Sequence, residues 1–261
     1  MQLHGKVALV TGANGGIGKA LVKGLLAKGV AKVYAAARNV AAVADLVEHD
    51  PARVVALELD ITDLAAVSAA AARCGDTELL INNAGINRCV GLLSPSGLDC
   101  ARAEMEVNFF GTLAMCRAFA PVLVSRGGTL VNVCSIIGLV NLPVNGTYCA
   151  SKAAGHSLLQ GVRAELAPHG VRVVGVYPGP VDTQMTAGLE APKAVPEQVV
   201  SAILTGLEQG DEAIFPDPMS TQVHAGLRHA PEEVEREFAT LIPAWQLPPL
   251  QNGPGKRHEL G

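Results

Sequence analysis

Val7-Ala8-Leu9-Val10-Thr11-Gly12-Ala13-Asn14-Gly15-Gly16-Ile17-Gly18 is a short apolar run that breaks into a glycine turn and enters a helical pattern near Ile17. The run Val7–Val10 predicts a strand that ends at Thr-Gly. Gly12 permits the tight exit, Gly16 lets backbone approach a diphosphate, and Gly18 lets the helix pack against the strand. Unpaired N–H groups at the helix start form the positive end of the helix and suit an anion. A glycine triplet alone also describes an ordinary flexible turn, so its surroundings must decide.

Those surroundings repeat the same rhythm. Further strands are predicted at Lys32–Ala36, Val54–Leu59, Leu79–Ile81, Thr129–Cys134, Arg172–Tyr177 and Glu212–Phe215, with helices between them. The strand runs are apolar at successive positions, as in a parallel sheet covered by helices on both faces. Ala41–His49 and Leu64–Arg73 have the length and composition of crossover helices. Right-handed crossovers and a reversal of strand order open a crevice at the carboxyl ends of the strands, where ligands bind. The expected fold class is therefore α/β: a three-layer, doubly wound Rossmann fold with a seven-stranded, mainly parallel sheet. No linker, repeat or composition break divides the chain, so residues 1–261 are expected to form one domain. Its core would span about 5–215, with a C-terminal extension over about 216–261. Pro and Gly cluster from Pro178 to Pro196 and after Pro243, which suggests a mobile loop and an extended tail. Pro231–Phe238 carries four glutamates and suits a solvated helical face.

Composition narrows the partners. The chain has 261 residues, 49% hydrophobic and 17% charged, enough to bury a core without disulfide staples. Its 20 Lys+Arg against 24 Asp+Glu give a net charge of -4, which argues against nucleic acid. The six cysteines show no CxxC and no paired spacing, as expected of a reduced, cytoplasmic protein. No secretory leader and no run of 18 apolar residues is present, so no membrane partner is expected. Arg257-His258-Glu259-Leu260 precedes Gly261 and is expected to be a solvated terminus. The seven histidines make no HExxH or Cys/His spacing, so no metal is expected. Ser135 lies in Cys-Ser-Ile and not in GxSxG, which disfavours a hydrolase.

About twenty residues past the glycines, dinucleotide folds place an acid on the ribose 2′-hydroxyl or an arginine for a 2′-phosphate. Here stands Ala37-Arg38. A guanidinium offers a fork of donors to a phosphate, so NADP(H) is the preferred cofactor and NAD(H) remains possible. Arg38 is equally readable as an exposed charge at a strand end. Asp60 either accepts from the adenine amino group or caps the following helix in Asp60-Ile61-Thr62-Asp63.

Tyr148 and Lys152 stand four apart in Tyr-Cys-Ala-Ser-Lys and share one helix face. A free phenol has a pKa near 10 and is a poor base at neutral pH. An ammonium at roughly 4 Å would stabilise the phenolate by about 4 kcal/mol at an effective dielectric of 20, up to ~3 pKa units.

With Asn82-Asn83-Ala84-Gly85, Asn108 in Val-Asn-Phe-Phe-Gly, Ser135 and Pro178-Gly179-Pro180-Val181-Asp182-Thr183, the chain resembles the single-domain branch of the short-chain dehydrogenase/reductase family over residues 5 to 215. The resemblance implies that Tyr148 is the general acid/base and that Ser135 hydrogen-bonds the substrate oxygen. Lys152 would lower the tyrosine pKa and bind the nicotinamide ribose, and Asn108 would hold a water linking lysine to solvent. It places Gly12, Asn14, Gly15, Gly16, Ile17 and Gly18 at the diphosphate, and Arg38, Asp60 and Ile61 near the adenosine. Asn83, Ala84 and Gly85 would lie at the ribose, with Pro178, Gly179, Val181 and Thr183 near the nicotinamide. Many NADP-preferring members carry a basic residue just before the middle glycine of the turn; this chain has Gly15 there.

By the same resemblance, Ile136, Ile137, Val144, Asn145, Val181, Met185 and Leu189 would line a mostly aliphatic substrate pocket. Such a pocket suits an apolar ketone, aldehyde or secondary alcohol. Met185 and Leu189 would form a lid or serve as loop anchors. Arg88 would meet an anionic group or lie exposed. Subunits would pair through the helices after Gly111 and after Tyr148 into a dimer or tetramer. The expected activity is NADP(H)-preferring interconversion of a carbonyl and a secondary alcohol. The alternatives are an NAD-dependent alcohol dehydrogenase and a catalytically silent dinucleotide sensor.

Overall fold

The computed structural model describes residues 2–243. Seven strands form one sheet: β1 (Val7–Thr11), β2 (Lys32–Ala37), β3 (Val54–Glu58), β4 (Leu79–Asn82), β5 (Thr129–Val133), β6 (Arg172–Val176) and β7 (Ala213–Ile214). Their order is β3-β2-β1-β4-β5-β6-β7, and every neighbouring pair is parallel. The sequence expects a mainly parallel sheet; among the described residues it is wholly parallel. The strand order reverses between β1 and β4, which opens the crevice at that point.

The alternation of β1 shows why both faces are apolar. Ala8 and Val10 enter one core with Leu21, Leu25, Val200 and Ile203. Those four come from α1 (Gly16–Ala27) and α7 (Pro196–Gln209). Leu9 enters the other core with Met115, Phe119 and Leu159, from α5 (Thr112–Arg126) and α6 (Gly146–Leu166). The first crossover is a 3-10 turn, Val40–Val43, followed by the short α2 (Ala44–His49); the second is α3 (Leu64–Arg73). Between β4 and β5, α4 (Gly97–Met105) passes through a π-helical turn, Glu106–Gly111, into α5. This continuous stretch, Gly97–Arg126, has the length and mean hydropathy to cross a bilayer. Here Met115, Phe119 and Leu123 from it are wholly buried in the second core.

The segment after residue 215 is built onto the domain. It forms α8 (Pro218–His229) and α9 (Pro231–Phe238), and Phe238 is buried. Farther on, the Leu241 carbonyl accepts from the Val144 N–H at 3.1 Å. The loop expected to be mobile after Pro178 folds back on itself: the Asp182 N–H donates to the Ala194 carbonyl, and the Ala194 N–H donates to the Pro180 carbonyl. The tail after Pro243, including Arg257–Gly261, lies outside the described residues. All six cysteines are unpaired, and burial pushes the Cys116 thiol up to about 12.

Candidate active site

A cleft of about 480 Å³ lies where the strand order reverses. Its first wall is the glycine turn. Gly12 takes φ +62°, a conformation open to glycine, and the Gly15 N–H closes the turn on the Gly12 carbonyl. α1 begins at Gly16 with no side-chain cap and no acid in its first turn, so the N–H groups at its start remain for a ligand. The ends of β1 and β4 are stitched together across the sheet. Thr11 Oγ1 accepts the N–H groups of Asn83 and Ala84, both at 3.0 Å. Asn83 Nδ2 donates to the carbonyls of Thr11 and Gly12 at 2.9 and 3.1 Å. Asn83 thus lines the cleft, but its side-chain amide shapes the glycine turn.

Ala37 ends β2 and Arg38 follows it into the same cleft, where Arg38 is exposed. Asp60 also lines it. Its Oδ1 accepts from the Thr62 N–H and hydroxyl, and those two bonds, with a smaller contribution from the Arg38 charge, lower its carboxyl pKa. The helix cap is Asp63, whose side chain accepts from Ala65 and Ala66. The cap alternative for Asp60 is therefore removed.

Ser135 follows β5, while Tyr148 and Lys152 occupy the first two turns of α6; all three are buried at the cleft. Ser135 Oγ donates to the Pro178 carbonyl over a long 3.4 Å. Lys152 Nζ donates to the Val133 carbonyl at 3.0 Å and lies 5.6 Å from the centre of the Tyr148 ring. Burial pushes the Tyr148 phenol above the ordinary tyrosine value and the Lys152 ammonium below the ordinary lysine value. The sequence expectation had the opposite sign for Tyr148, because it weighed the ammonium and not the burial. Water excluded from both groups favours the neutral form of each.

Asn108 stands behind the cleft, in the π-helical turn. Its Oδ1 accepts the Ile86 N–H, and its Nδ2 donates to the Ile86 carbonyl and to Ser151 Oγ, each at 2.9 Å. The other expected residues converge on the cleft: Asn14, Ile17, Gly18, Ile61, Gly85, Gly179, Val181 and Thr183, together with Ile136, Ile137, Val144, Asn145, Met185 and Leu189. The cleft also takes in residues that the sequence did not single out: Ile86, Asn87, Leu142, Gln184 and Met219. Met219 comes from α8, and no local motif announces it. Arg88 is exposed, and its backbone N–H donates to Glu104 Oε1 at 2.7 Å. The uncapped helix start, the glycine turn and Arg38 at the far end make a donor set that fits a phosphorylated dinucleotide.

The family described as short chain dehydrogenase matches residues 6–194. A short-chain dehydrogenase of Talaromyces islandicus, cctT, is 37% identical over 210 residues, which is 76% of this chain and 73% of that protein. A short-chain dehydrogenase from Burkholderia cenocepacia, solved in complex with NADP, superposes with a TM-score of 0.87 at 44% identity, over 91% of this chain and 99% of that one. A short-chain dehydrogenase/reductase from Burkholderia phymatum, solved in complex with NAD, gives a TM-score of 0.79 at 26% identity, over 91% and 96%. The chain therefore belongs to the short-chain dehydrogenase/reductase family, whose members are oxidoreductases acting on CH–OH or C=O groups with a nicotinamide cofactor.

Proposed function

We propose that this enzyme is an NADP(H)-preferring reductase of apolar ketones or aldehydes, acting in the cytoplasm as a dimer or tetramer paired through α5 and α6. One observation carries the reading: Ser135, Tyr148 and Lys152 line the same cleft as the glycine turn and Arg38, with Lys152 Nζ 5.6 Å from the centre of the Tyr148 ring. The aliphatic wall of Ile136, Ile137, Val144 and Leu142 suits an apolar substrate. The unpaired thiols agree with a reducing compartment.

The nicotinamide, when bound, supplies the hydride. Tyr148, kept as a neutral phenol by burial, gives its proton to the substrate oxygen as negative charge develops there. Ser135 leaves its weak bond to Pro178 and donates to the same oxygen. Lys152, anchored on the Val133 carbonyl, holds the ribose hydroxyls and returns a proton towards Tyr148. The Asn108 side chain already makes three protein hydrogen bonds, both of its N–H donors among them, so a water linking Lys152 to solvent is left the second lone pair of its Oδ1.

The raised phenol pKa sets the sign of the pH dependence. A group that keeps its proton above the ordinary value leaves the acid available through neutrality, so the reduction rate stays flat there and falls only at alkaline pH. Alcohol oxidation needs the phenolate and rises with pH over the same range. Initial rates in both directions check this; a reduction limb falling through neutral pH would contradict it.

Arg38→Ala tests the cofactor preference. Loss of a hydrogen bond to a charged phosphate, about 1.5–3 kcal/mol, predicts a ~10- to 100-fold rise in KM for NADPH with NADH little changed. An unchanged preference would remove Arg38 from the account, and a wild type that turns over NADH faster than NADPH would favour the NAD-dependent reading. The function itself is tested by a panel of aliphatic and aromatic ketones followed by NADPH absorbance. Tight cofactor binding with no turnover across the panel would favour a silent sensor.

A further inference from the structure

Asp217 is buried at 6% exposure and belongs to none of the family motifs quoted above. It lies 38 residues beyond Gly179, just before α8. Its Oδ2 accepts the Gly179 N–H at 2.8 Å, and its Oδ1 accepts the Ser220 N–H at 2.9 Å, capping the helix. The Gly179 N–H belongs to the same peptide unit as the Pro178 carbonyl. That carbonyl accepts from the Ile136 N–H at 3.0 Å and from Ser135 Oγ at 3.4 Å. A peptide unit is planar, so fixing its N–H fixes the direction of its C=O.

We infer that Asp217 is a positioning residue: it holds the Pro178–Gly179 peptide plane and with it the carbonyl on which the Ser135 hydroxyl rests until the reacting oxygen takes its hydrogen bond. The consequence for Ser135 rests on the function proposed above. A plane between proline and glycine turns over more readily than most, because glycine accepts both signs of φ, and without Asp217 the Ile136 N–H on the Pro178 carbonyl would hold it from one side only. Turned over, it would present an N–H to Ser135 and take away the acceptor that orients the hydroxyl. The carboxylate suits the place because it has two oxygens for two N–H donors and sits at the positive end of α8.

Asp217→Asn separates this role from capping. Asparagine caps as well as aspartate, but it has one acceptor. With that oxygen on Ser220, its NH₂ faces the Gly179 N–H, donor against donor. Asp217→Ser keeps a cap yet is too short to reach Gly179, and it guards against a variant that fails for another reason. Ser220→Ala weakens the cap and leaves the Gly179 bond in place. In the full chain, carbon-13 carbonyl proline with nitrogen-15 glycine leaves two Pro-Gly amides visible, Gly179 and Gly255, and a Gly255→Ala variant tells them apart.

In Asp217→Asn and Asp217→Ser the Gly179 amide proton should move upfield. Their kcat should fall about 10- to 100-fold, short of the 10²–10³ lost when a donor to developing charge is deleted, while NADPH Kd stays within about threefold. Ser220→Ala should lower Tm with kcat within about twofold of wild type. An unmoved Gly179 signal, an unchanged kcat in both Asp217 variants, or an equal kcat loss in Ser220→Ala would each overturn the inference. The amide shift is read without turnover. A wild type that reduces no carbonyl therefore refutes the proposed function while the anchor itself is still decided.

Discussion

Tyr148→Phe is expected to cut kcat for carbonyl reduction by about 10²–10⁴-fold, the range contributed by a positioned general acid, with NADPH affinity within a few-fold of wild type. The ring is buried, and its hydroxyl makes no hydrogen bond within the described residues. Phenylalanine keeps the ring and removes only the hydroxyl. Stability should therefore barely change, and the loss should appear in kcat rather than in Kd. Steady-state absorbance with the best ketone of the panel, beside a fluorescence titration of NADPH, separates the two. Retained reduction with normal cofactor binding would overturn Tyr148 as the proton donor.

Gly18→Ala should disable the other end of the cleft. A Cβ at position 18 would lie 2.1 Å from the Gly12 carbonyl oxygen and 2.8 Å from the Ala13 Cα, both backbone atoms that no rotamer change can move. Either α1 lifts from the turn or the turn opens. Overpacking of this kind costs about 1–3 kcal/mol, and each kcal/mol lowers Tm by ~2–4 °C in a chain of this size. Because the N–H groups at the start of α1 would no longer converge, NADPH affinity should fall at least about tenfold. Gly161→Ala is the control, since an added methyl there meets nothing within 4 Å. Unchanged NADPH affinity in Gly18→Ala would show that the glycine turn does not seat the diphosphate.

Much of this arrangement was legible in the chain because parallel strands buried on both faces must be apolar without alternation. Runs such as Leu79–Ile81 and Arg172–Tyr177 therefore marked their strands to within a residue or so of the observed ends. The glycine turn, Ser135 and the Tyr148–Lys152 pair were legible because each sits at a fixed offset on one element. What escaped depends on contacts between distant segments. Asp60 and Asp63 both fit a helix-start string, and the choice between them rested on which N–H groups each one met. The direction of the Tyr148 shift followed from burial, which no spacing reveals. Asn83 lines the cleft as expected, while the bonds of its side-chain amide to Thr11 and Gly12 across the sheet are ones that no spacing announces. Met219 reaches the cleft from α8, and Asp217, which caps that helix, reaches Gly179 in the cleft wall, although no motif marks either residue.

The most direct test follows the transferred hydrogen. NADPH deuterated at the hydride-bearing ring carbon is incubated with the best ketone of the panel, and the product alcohol is analysed by mass spectrometry. Wild type should place deuterium on the carbinol carbon, with Tyr148→Phe doing so at least about a hundredfold more slowly. Deuterium absent from that carbon while the cofactor is bound, or equal transfer by both proteins, would contradict the account.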